Sequence, residues 1–257
     1  MLDQGVVEAL SETLSVLFHN QQLEEYKEAS SIAIQMNIFI QRNTCIALGN
    51  LGRTGMFLFN IVYLLMFQDT SCNYIVTHGA SVPLVEMMSH VANATDYSEV
   101  DMSLIINALF AFANLCKLKE NQAELLRRHQ DIFQILLKLT TDEIHFAVCF
   151  YALDALANLI HNNDENASAL LNEYPDIVSK LVTILKFRRD KIKVSFAVVK
   201  CLFGLFKLGK IPNTQVFTDD QEFMTIINIM EHTPEDEKIV KLAKEVKKSG
   251  MLGSDNQ

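Results

Sequence analysis

Residues 111–116 read Ala-Phe-Ala-Asn-Leu-Cys and residues 155–160 read Ala-Leu-Ala-Asn-Leu-Ile. The asparagines, Asn114 and Asn158, lie 44 positions apart, and 46 positions further on Gly204 stands in Cys-Leu-Phe-Gly-Leu-Phe. The columns around them keep their size. Ala111, Ala155 and Cys201, all small, sit three residues before. Phe112, Leu156 and Leu202, all large, sit two before, and Leu115, Leu159 and Leu205 sit one after. Small residues allow neighbouring helices to approach and large ones fill the space between them. A period near 45 with such columns marks a stack of helical units.

The period extends outward. Residues 120–133, ENQAELLRRHQDIF, align with residues 165–178, ENASALLNEYPDIV, sharing Glu-Asn, Leu-Leu and Asp-Ile in order. The unit that starts at Glu120 predicts a short helix over 120–128, a second over 131–140 and a longer third over 142–160. The apolar residues of the third (Phe146, Cys149, Leu153, Leu156 and Ile160) follow helical spacing. Thr141 or Asp142 is the expected N-cap, and His-Asn-Asn-Asp at 161–164 ends the helix.

The order Ile-Val-Thr-His-Gly-Ala-Ser-Val-Pro-Leu at 75–84, with Gly79 at its turn, followed by a long helix ending in Ala-x-x-Asn-Leu, resembles an armadillo repeat. Residues 110–115 and 155–159 carry the third-helix pattern; Gly204, His129 and Tyr174 depart from it, and HEAT-like solenoids are close neighbours. The resemblance implies an all-α fold: a right-handed α-solenoid of about five repeats in a single domain over 1–250. Its approximate units are 1–20, 21–68, 69–117, 118–162, 163–210 and 211–250, with 251–257 as a flexible tail. At the front, Asn50 fits the motif, whereas a regular frame puts Tyr63 in the asparagine column and needs only one insertion, at 91–100. The polar amphipathic stretch at 241–250 reads as the cap of the stack.

Composition narrows the function. With 4 Pro and 9 Gly in 257 residues, turn-rich β architecture is disfavoured. The formal charge of −9 argues against general nucleic-acid binding. The longest apolar run, 56–67, is shorter than the roughly 20 residues of a membrane span, so no membrane insertion is expected. Cys45, Cys72, Cys116, Cys149 and Cys201 are dispersed, as for reduced thiols in the cytoplasm. No phosphate loop, nucleophile elbow or metal-ligand spacing is present, so neither an enzyme nor a cofactor is expected.

In such a stack the third helices line one concave surface. An asparagine there can pair with a peptide's C=O and N–H together, holding backbone without reading sequence. Armadillo proteins that hold linear peptides use an asparagine ladder, and the resemblance implies that role for Asn114 and Asn158; the alternative is that these amides brace their own helices. On the same face lie Asn107 and Tyr151 seven before the rungs, then Phe110, Asp154 and Lys200 four before, and Lys117, His161 and Lys207 three after. The last three either answer the helix macrodipole or receive acidic side chains of a partner. Nuclear-import adaptors of the family pair each rung with a tryptophan, and this chain has none. The expectation is a cytoplasmic, non-enzymatic scaffold that holds an extended protein segment; the alternative is a permanent subunit of a cytoskeletal or ciliary assembly.

Overall fold

The computed structural model describes Val76 and residues 81–94, 99–141, 145–211, 221–233, 236–249 and 251. These residues form ten α-helices and, among the described residues, no strand. They are α1 (Val82–Ala92), α2 (Glu99–Leu115), α3 (Lys119–Arg128), α4 (Ile132–Lys138), α5 (Phe146–Ile160), α6 (Asp164–Glu173), α7 (Ile177–Phe187), α8 (Ile192–Lys207), α9 (Gln221–Glu231) and α10 (Glu237–Lys248). The front of the chain, with Asn50, Met56, Phe59, Tyr63 and Met66, and the Gly79 turn lie outside the described residues.

Helices α3, α4 and α5 reproduce the expected three pieces of one unit within a few residues. The start of the third differs. α5 begins at Phe146, and His145 caps it by accepting the Ala147 N–H on Nδ1 at 3.3 Å. Asp142 is outside the described residues, and Thr141 instead offers its carbonyl to Arg188 Nη2 at 2.9 Å. An imidazole lone pair thus does the work expected of a hydroxyl or carboxylate. Phe146 departs too: at 41% exposure it lies outside the core, beside the His145 ring and under Lys191. Asn162, in the left-handed region at φ 53°, follows the helix stop.

Helices that align in the sequence contact one another. α5 packs against α2 on one side and α8 on the other; α6 packs on α3, and α4 on α1. The three columns seen in the sequence are the seams. Ala111, Ala155 and Cys201, then Phe112, Leu156 and Leu202, then Leu115, Leu159 and Leu205 are all buried in one continuous core. At the far end α10 buries Ile239, Ala243 and Val246 and touches α9 and α8. Met251, expected in the flexible tail, is fully buried, with its N–H donating to Ser249 Oγ at 3.2 Å, because an apolar side chain one turn past the helix still reaches the core.

Candidate functional site

The recurring Glu-Asn at 120–121 and 165–166 has a mechanical reason. A helix leaves its last carbonyls unsatisfied. Asn121 Nδ2 donates to the Leu115 carbonyl at 3.0 Å and Asn166 Nδ2 to the Leu159 carbonyl at 2.9 Å, so each first helix closes the end of the third helix before it. Gln122 extends the closure across units. Its buried Nε2 lies 2.8 Å from the Asn158 carbonyl and 3.2 Å from those of Cys116 and His161. Its Oε1 accepts from Asn163 Nδ2, and its own carbonyl from Asn166 Nδ2, both at 3.2 Å. Neither Gln122 nor this second set of asparagines was singled out from sequence, although the alignment already showed Asn121 over Asn166.

The two asparagines of the motif behave differently. Asn158 is 4% exposed; its Nδ2 donates to the Ala113 carbonyl of α2 at 2.8 Å, and its Oδ1 accepts from Lys200 of α8 at 2.6 Å. Both amide atoms are bonded inside the chain, so Asn158 braces three neighbouring helices. Asn114 is partly exposed, its Oδ1 accepting from Lys117 Nζ at 2.5 Å. The difference lies in what the next helix supplies: Lys200 of α8 reaches back over the Asn158 rung, whereas the same offset on α5, facing Asn114, is Asp154.

Around these amides the expected face comes together. Lys200 Nζ also pairs with Asp154 Oδ1 at 2.7 Å. Phe110 and Tyr151 meet edge-on with centroids 5.5 Å apart. Burial and then the Asp154 carboxylate push the Tyr151 hydroxyl above its ordinary pKa, so it is a neutral donor and acceptor. Asn107, Phe110, Asn114, Tyr151, Asp154, Lys200 and Gly204 are all partly exposed, and Lys117, His161 and Lys207 are exposed. Ala197, at the Asn107 and Tyr151 offset, is buried. Lys207 stands over the Phe203 ring, 4.6 Å from its centroid, with Glu245 at 3.7 Å. His161 Nε2 lies 3.1 Å from Asn162 Nδ2. Burial, then Lys200 and Lys207, hold its imidazole below the ordinary histidine range. The face is therefore a mixed aromatic, amide and cationic strip.

Among the described residues no group of three His, Cys, Asp or Glu side chains could hold a metal ion, and no helix is long and apolar enough to cross a membrane. Cys116, Cys149 and Cys201 are buried; burial raises the thiols of Cys116 and Cys201 far above their usual pKa. The chain matches no known family, no curated protein and no solved structure.

Proposed function

We propose that this chain is an armadillo-like α-solenoid, a non-enzymatic scaffold that holds an extended segment of a partner protein across α2, α5 and α8. The observation that carries the reading is one open stripe at the same offsets on three adjoining helices. Positions seven and four before the rung, the rung itself and three after it are at least partly exposed on α2, and most are on α5 and α8, while the positions between them, Phe206 apart, are buried. Equivalent helices pack about 8–10 Å apart and an extended peptide rises about 3.3 Å per residue, so each helix meets such a peptide every two or three residues.

The residues in contact are then Asn107, Phe110, Asn114 and Lys117 from the α2 segment, Tyr151 and His161 from the α5 segment, and Lys200 and Lys207 from α8. Asn158 supports them from beneath through Ala113 and Lys200. The aromatic pair supplies apolar contact, Asn114 a backbone grip, and the cations a preference for acidic side chains.

The test is selection of linear peptides from a displayed random library on the full chain, followed by affinity measurement with Phe110→Ser/Tyr151→Ser. Both side chains are partly exposed, so the variant should fold, as its urea transition will show. Loss of an aromatic anchor should weaken selected peptides by roughly tenfold or more. Unchanged affinities would place binding on another surface, and a library that yields no binder would remove the peptide-scaffold reading.

A further inference from the structure

The asparagine place on α8 holds glycine. A Cβ built at Gly204 would meet only the Ile160 side chain, at 3.9 Å, so the missing side chain leaves a shallow opening and not a tight contact. What surrounds it is unlike the other two rungs. Lys200 lies one turn before Gly204, its ammonium held by Asp154 Oδ1 and Asn158 Oδ1 with the third proton uncommitted among the described residues. Lys207 lies one turn after, over the Phe203 ring, its nearest carboxylate at 3.7 Å. From the neighbouring helix end comes His161, in the register of Lys207. Resting on the peptide-scaffold reading, we infer that the opening over Gly204 is an anion subsite, in which a carboxylate side chain of the partner segment is bracketed by Lys200, Lys207 and His161.

The electrostatics agree with that geometry. Burial first, and then Lys200 and Lys207 of α8, disfavour the protonated form of His161. The carboxylates around it are each paired with a cation: Asp154 of α5 with Lys200 at 2.7 Å, Glu245 of α10 more loosely with Lys207 at 3.7 Å, and Asp164 of α6 with Lys210 at 3.0 Å. On the α2 side Lys117 adds a further cation, and Gln122 of α3 touches only the His161 carbonyl. A bound carboxylate reverses the balance and favours imidazolium. Complex formation therefore takes up a proton, and affinity rises as the pH falls through the bound-state pKa of His161 while the partner's carboxylates stay ionised.

The test uses fluorescence anisotropy of the full chain with two labelled peptides of about a dozen residues, one alternating Ser and Glu and one alternating Ser and Gln. The Glu peptide should bind about five- to tenfold more tightly, and more so at about pH 6 than at pH 8. Gly204→Leu, which fills the opening, and Lys207→Gln, at an exposed position, should each shrink that preference; His161→Gln should keep it and remove its pH dependence. If both peptides bind equally, or the preference survives Gly204→Leu in a folded protein, the anion subsite is wrong while the groove stands. If neither peptide binds, the subsite and the scaffold reading fall together.

Discussion

Replacing Gln122 by alanine should destabilise the protein far more than its polar character suggests. The side chain is 1% exposed, and its amide group serves four partners in two units. After truncation the Asn158 carbonyl keeps the His161 N–H at 3.2 Å, but the carbonyls of Cys116 and His161 lose their partner among the described residues. A buried polar group left unsatisfied costs about 1–3 kcal/mol, and the His161 carbonyl is only partly buried, so the sum is about 2–4 kcal/mol. That is a large share of a stability of about 5–15 kcal/mol. Urea unfolding followed by circular dichroism reads it directly. Gln134→Ala, on the exposed face of α4, serves as the control and should stay within about 0.5 kcal/mol of the parent. Gln122→Glu should be worse than alanine at neutral pH, because it turns a carboxylate toward three carbonyl oxygens, and should recover in part as the pH falls. If Gln122→Ala unfolds with the control, the hydrogen-bonded junction is not what joins the units.

Two further outcomes follow from burial. Ala155→Leu, at a fully buried seam between neighbouring third helices, should cost about 1–3 kcal/mol by overpacking, whereas Glu237→Leu at an exposed site of α10 should not; equal melting temperatures would show that the small column is not a packed interface. His129 is buried, with Ser81 Oγ 3.0 Å from its Nε2, and its pKa is lowered by burial and by Arg128, against the opposing pull of Asp131. The unfolded chain therefore binds the proton more readily, and the stability of the neutral histidine is full above about pH 6.5 and lost as the pH falls below it. The urea midpoint of the parent should drop between about pH 7 and 5, and the drop should be smaller in His129→Gln; an identical slope would mean that His129 is not the titrating group.

How much of this was legible beforehand depends on the kind of residue. Ala111, Ala155 and Cys201 had to be small because a helix axis passes close by, and that requirement recurs at every seam, so one aligned period exposes it. The N-cap of α5 was misread because histidine is an uncommon cap and its ring nitrogen is invisible to a search for hydroxyls and carboxylates. Gln122 stayed hidden since its counterpart in the next unit is Ala167, so no column marks it.

From the sequence alone came the all-helical class, the three helical pieces between 119 and 160 and the identity of the buried columns, because these depend on spacing within one helix and on volume. Which of two identical amides stays open to solvent did not. Asn114 and Asn158 carry the same chemistry at the same offset, yet one is open and the other is bonded at both ends, to Ala113 and to Lys200. That outcome depends on a lysine more than forty residues away reaching across from the next helix, a contact that exists only once α8 has packed against α5.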